Sequence, residues 1–119
     1  MRAAALALAV GVLLAGCGGN SPSQPAGSIK VTMTEYHFDP STISAPSGKV
    51  VFFVVNAGTI SHDLVIRDST NTKVGGSELI SAGDSFVFTV DSIAAGTYAY
   101  FCDQPGHEGL GMKGTLTVS

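Results

Sequence analysis

Charge is scarce in this chain. Only 13% of its 119 residues are Asp, Glu, Lys or Arg, and the six basic residues are scattered without a cluster. Nucleic-acid binding rests on a basic face that neutralises phosphates, so that class of function is excluded. The same scarcity excludes a polybasic membrane patch. Helical periodicity is missing as well: no long segment repeats its apolar residues at helical spacing, and no internal repeat is evident. Reactive side chains are few, with two cysteines and three histidines in all. What the chain does have is apolar bulk. Hydrophobic residues make up 45% of it, enough to build a core and too much for disorder. The length suits one domain.

The first apolar run stands apart from the rest. Arg2 precedes Ala3 to Ala15, and the run ends in Leu14-Ala15-Gly16-Cys17. A charged start, an apolar centre and small residues before a cleavage point describe a secretory signal peptide. The run falls short of the ~20 residues that span a bilayer, so a permanent transmembrane helix is not expected. Leu14-Ala15-Gly16-Cys17 also resembles a bacterial lipobox, in which the cysteine becomes the lipidated first residue of the mature protein. Gly18 to Ser28 is rich in Gly, Ser and Pro and reads as a linker. The expected organisation is a signal peptide over 1–16, a lipid-anchored linker over 17–28 and a globular domain over 29–119.

Two cysteines in an exported chain would ordinarily suggest one disulfide. With Cys17 committed to lipid, Cys102 is left as a single thiol in an oxidising compartment. A metal bond would explain its presence there.

Within the domain, β signals dominate. Ile29 to Thr34 alternates apolar and polar residues, the mark of a half-buried strand. Lys49 to Asn56 is β-branched and aromatic, as in a strand buried on both faces. His62 to Ile66, Ser85 to Val90, Thr97 to Cys102 and Gly114 to Val118 read as further strands. Pro46-Ser47-Gly48, Ala57-Gly58, Ala82-Gly83-Asp84 and Ala94-Ala95-Gly96 supply the turns between them. Arg67 to Ile80 is ambiguous, although Val74-Gly75-Gly76 argues against a long helix. The expected fold is all-β, an antiparallel Greek-key sandwich of about seven to eight strands.

The chemistry concentrates in Tyr98 to Met112, where Cys102, His107 and Met112 fall at intervals of five on one loop after a strand. His62 lies far upstream. A thiolate, two imidazoles and a weak axial thioether suit a copper ion that transfers electrons, because the set serves Cu(I) and Cu(II) with little rearrangement. Gly106, Gly109 and Gly111 suit a backbone bent around an ion. Each rival reading lacks a part. Zinc has little use for a thioether and does no redox work. A Cys/His nucleophile pair finds no oxyanion-hole motif nearby. A multicopper enzyme needs more histidines than His37, His62 and His107. A copper carrier without an electron-transfer role stays open. His37, between Tyr36 and Phe38 with no partner motif, reads as an ordinary surface or core residue and not a ligand, and Met33 reads as core. Asp103 and Glu108 read as solvated charges.

The chain resembles the cupredoxins, the small blue copper proteins of the plastocyanin, azurin and auracyanin kind. The resemblance runs through Phe38-Asp39-Pro40 to Gly48, His62 to Ile66, Gly96-Thr97-Tyr98 into Cys102, and Pro105-Gly106-His107 with Met112. It implies that His62 and His107 bind one copper ion through ring nitrogens, Cys102 as thiolate and Met112 as axial sulfur. Asp63 stands where azurin-like members have an asparagine that ties the two ligand loops together. Tyr98 takes the place of a tyrosine corner. A cupredoxin of this kind would be a monomeric one-electron carrier and not an enzyme. It would be anchored to a membrane by Cys17, on the periplasmic or extracellular side. Its redox protein partners would be met through the surface around His107.

Overall fold

A computed structural model of the chain describes residues 21–119. The expected signal peptide, Cys17 and the start of the expected linker lie outside the described residues. Nine strands form within them: β1 (Ile29–Thr34), β2 (His37–Asp39), β3 (Thr42–Ala45), β4 (Gly48–Asn56), β5 (Val65–Arg67), β6 (Lys73–Gly76), β7 (Ser85–Ile93), β8 (Gly96–Phe101) and β9 (Lys113–Val118). The one helical element among the described residues is a short 3-10 turn, Glu108–Leu110.

The strands make two sheets, ordered β2-β1-β4-β7 and β3-β9-β8-β5-β6, and the fold is the expected β-sandwich. Apolar side chains drive the stacking. Val31 and Met33 of β1 point inward by strict alternation. Three consecutive residues of β4, Phe52, Phe53 and Val54, are buried, in keeping with its place between β1 and β7. Within the first sheet, the cross-strand partners Phe52 and Phe88 stack with ring centroids 5.0 Å apart, and between the sheets Phe38 meets Tyr100 edge-on at 5.3 Å.

Two pairings depart from the antiparallel expectation. β1 runs parallel to β4, and β3 runs parallel to β9. The cause is the path of the chain, which leaves the first sheet after β2, adds β3 to the second, and returns as β4. Residue alternation reports which face a side chain occupies and is silent on the direction of the neighbouring strand. The extra strands are the short ones, β2, β3 and β6. Arg67 to Ile80 holds no helix: Asp68 organises a turn with Thr70 and Thr72, β6 follows, and Ile80 pairs back to His62.

Tyrosines of β8 lock the second sheet to neighbouring backbone. The Tyr98 hydroxyl donates to the Ala94 carbonyl at 2.7 Å, forming the expected corner. The Tyr100 hydroxyl donates to the Pro40 carbonyl at 2.6 Å, tying β8 to the segment between β2 and β3. Opposite Tyr100 in the β8·β9 register lies Gly114, and a Cβ there would overlap the phenol ring. Gly114→Ala is therefore expected to destabilise the protein by about 1–3 kcal/mol, the usual range for overpacking. Chemical denaturation with the midpoint read by circular dichroism measures it, and an unchanged midpoint would contradict this packing.

Candidate metal centre

Three backbone arrangements bring the ligand candidates to one end of the sandwich. β8 delivers Cys102 directly after Phe101. From there the chain folds back on itself: the Cys102 amide donates to the Met112 carbonyl at 3.2 Å, and the Met112 amide to the His107 carbonyl at 3.1 Å. Gly106 (φ 81°) and Gly111 (φ 104°) occupy the left-handed backbone region that these tight reversals require.

His62 arrives by a different route. It lies before β5 and outside any strand, whereas the sequence suggests a strand already beginning there. Its amide and carbonyl exchange hydrogen bonds with Ile80 at 3.1 and 2.8 Å. Asn56, fully buried at the end of β4, shapes the approach to it. The Asn56 side-chain amide donates to the carbonyls of Ile60 and Ile80, and its oxygen accepts from the Gly58 amide. Breaking such a buried network leaves several polar groups unpaired, so the segment holds one conformation.

The outcome is a triangle of donor atoms. Nδ1 of His62 lies 3.2 Å from Nδ1 of His107, and Sγ of Cys102 lies 3.4 Å from His107 Nδ1 and 3.9 Å from His62 Nδ1. A point equidistant from the three is about 2 Å from each, close to the bond lengths metals make with imidazole and thiolate. His62, Cys102 and Met112 have no exposed surface. Met112 follows the 3-10 turn, and its backbone closes the loop that carries the other two donors. The donor atoms of His62, Cys102 and His107 therefore come together, and Met112 joins them through its backbone. Of the residues set aside, Met33 is fully buried core and His37 is exposed on β2.

The surroundings brace this triangle. Asp63 Oδ1 accepts the Asp103 amide at 2.8 Å, joining the His62 segment to the Cys102 loop across the position where the sequence had left its role open. Burial pushes the Asp63 carboxyl up to about 6, with the neighbouring Asp103 adding to the effect. Burial likewise raises the Cys102 thiol, so the metal-free protein holds it protonated at neutral pH.

Glu108 is not simply solvated. It forms a two-pronged ion pair with Arg67, whose guanidinium also lies 4.1 Å from the centre of the Phe101 ring. Phe101 precedes Cys102 and Glu108 follows His107, so Arg67 grips both arms of the loop. Tyr36 sets its ring edge-on to His107 with centroids 5.0 Å apart. Sequence reasoning missed Asn56, Glu35, Tyr36 and Arg67. An asparagine closing the apolar β4 run was the one local signal among them.

The comparisons with known proteins agree with this geometry. The sequence profile of the family "copper binding proteins, plastocyanin/azurin family" matches residues 25–119. A plastocyanin from Scenedesmus fuscus is 36% identical over 88 residues, covering 68% of this chain and 85% of that protein. The copper-resistant cuproprotein CopI of Rubrivivax gelatinosus is 29% identical over 108 residues, covering 76% of this chain and 66% of CopI. Among solved structures, auracyanin B superposes with a TM-score of 0.72 at 26% identity, covering 86% of this chain and 96% of that one. The sandwich, its buried thiol and its facing imidazoles thus define a cupredoxin. This chain belongs to the plastocyanin/azurin family of copper-binding proteins.

The Asp63 carboxyl gives a pH signature. An acid raised on folding binds its proton more tightly in the native state than in the unfolded chain. The metal-free protein therefore loses stability as pH climbs from the ordinary value of 3.8 through about 6. Asp63→Asn keeps an oxygen for the Asp103 amide and removes the titrating group. It is expected to abolish that loss and to stabilise the metal-free protein at neutral pH by about 2 kcal/mol. Denaturation midpoints of both proteins across this pH range test it, and parallel curves would refute the assignment.

Proposed function

We propose that this chain is a one-electron carrier with a single type 1 copper ion held by Nδ1 of His62, Nδ1 of His107 and Sγ of Cys102, with Met112 as the weak axial ligand. The observation that carries this reading is the donor triangle, formed with metal-bonding dimensions by two buried side chains and a partly exposed His107 on braced backbone. Bound there, copper supplies a couple between Cu(I) and Cu(II).

The protein's part is to hold the ligands still. Backbone bonds close the Cys102 loop, Asp63 ties it to the His62 segment, and Arg67 spans its two arms. Little reorganisation then accompanies a change of oxidation state. Binding requires the Cys102 thiol to give up its proton, so metal uptake weakens as pH falls. No substrate is transformed.

His107 is the ligand nearest the surface, being partly exposed where His62 is fully buried. Leu110, 62% exposed, and Tyr36, 37% exposed, flank it with apolar surface. Redox protein partners would dock there through small, transient contacts. In this reading the chain is exported, is held at a membrane by lipid on Cys17, and works as a monomer on the periplasmic or extracellular side. Among the described residues no helix is long and apolar enough to cross a membrane.

A second reading, copper binding or transport without electron transfer, is favoured by the likeness to CopI, a copper-resistant cuproprotein. Electron self-exchange and copper off-rates separate the two. Rapid exchange with slow release fits the carrier, and slow exchange with rapid release fits transport.

Adding Cu(II) to the purified protein is expected to give an intense thiolate-to-copper absorption and a blue or green colour. Cys102→Ser abolishes that band. Met112→Leu retains copper and shifts the reduction potential upward. A colourless protein that takes zinc instead would overturn the assignment, and an unchanged potential in Met112→Leu would remove the axial ligand.

A further inference from the structure

The donor triangle uses Nδ1 of His62 and leaves its other ring nitrogen to be accounted for. That nitrogen, Nε2, lies 3.3 Å from Oε1 of Glu35 in the turn between β1 and β2. The imidazole has no exposed surface, and the carboxylate is 33% exposed. The same oxygen also accepts the backbone amides of Thr59 at 2.7 Å and Ile60 at 3.1 Å. One carboxylate oxygen therefore gathers two residues that lead into the ligand, Thr59 and Ile60, and the ligand itself. Gly58 lies close against this carboxylate too, where a Cβ would collide with Oε1. The turn is built to let Glu35 in.

An ionised carboxylate accepts hydrogen bonds and cannot donate them. Facing one, Nε2 of His62 must carry the ring proton, which leaves Nδ1 as a bare lone pair aimed into the triangle. The two Nδ1 atoms lie 3.2 Å apart, so a bare Nδ1 on His62 would accept from His107 in its Nδ1-protonated form. We propose that Glu35 is a positioning residue of the metal centre, fixing the tautomer and orientation of His62 and placing a negative charge behind it that favours the oxidised ion. The electrostatic half of the proposal rests on the copper reading above. The tautomer half stands on the metal-free protein alone.

Two variants separate charge from tether. Glu35→Gln keeps an oxygen that the Thr59 and Ile60 amides hold in place, and loses the charge. Glu35→Ala loses both. Long-range nitrogen–proton NMR of the metal-free protein, at about pH 8 and above the usual imidazole pKa, reads the tautomer directly. Wild type and Glu35→Gln are expected to hold His62 with its proton on Nε2. Glu35→Ala is expected to show a mixture with the Nδ1-protonated form. Voltammetry of the copper-loaded proteins is expected to give a higher potential for Glu35→Gln than for wild type.

A His62 tautomer unchanged in Glu35→Ala would overturn the positioning role, even if the potential moved. Should that variant fail to fold, a wild-type spectrum with the His62 proton on Nδ1 would overturn it equally. An unchanged potential in Glu35→Gln would overturn the electrostatic role. Failure of the copper reading is distinct: wild type would then show no thiolate-to-copper band.

Discussion

A buried thiol wedged between two imidazole nitrogens is the constraint on which this molecule turns. Cys102 has no exposed surface, burial raises its pKa, and two Nδ1 atoms crowd it at 3.4 and 3.9 Å. Left to relax, such a cluster would spread and admit water. It is kept together from all sides: by the loop's own backbone bonds, by Asp63 reaching the Asp103 amide, by Arg67 between Phe101 and Glu108, and by Glu35 behind His62. These contacts are all made by the chain's own residues, so the donor geometry is set by the protein.

The sandwich is what makes such rigidity available. His62 and Cys102 come from segments 40 residues apart and meet because β5 pairs with β8 in the same sheet. Glu35 comes from the other sheet, at the turn after β1. The parallel pairings of β1 with β4 and β3 with β9 follow from the chain's excursion between sheets, which also carries Pro40 to the Tyr100 hydroxyl. Core packing thereby sets positions at the metal end, and a substitution as remote as Gly114 would press on β8, the strand that leads into Cys102.

The residues that announced themselves in the sequence were those whose chemistry is local. Cys102, His107 and Met112 lie on one loop, and glycines mark its turns. Alternation in β1 and the apolar run of β4 identified strands and a sandwich, and Tyr98 was legible as a corner. Strand direction was hidden, because a side-chain period carries no information about a neighbour's orientation. Short strands such as β2 and β6 hold too few residues to establish a period. Glu35 and Arg67 were hidden for another reason. Their partners lie 27 and 41 residues away, and nothing near them in the chain hints at a metal. Glu108 was misjudged as a free charge because its cation sits on another strand.

In the electron-carrier reading, one triangle of donors receives the metal in both oxidation states. Crystal structures of the metal-free, Cu(I) and Cu(II) proteins test it most directly. Copper is expected between Nδ1 of His62, Nδ1 of His107 and Sγ of Cys102, with the Cys102–Met112 backbone superposing within about 0.5 Å across all three, the tolerance of a preorganised site. Copper bound elsewhere, or a ligand loop that rebuilds itself when the metal enters or changes oxidation state, would contradict it.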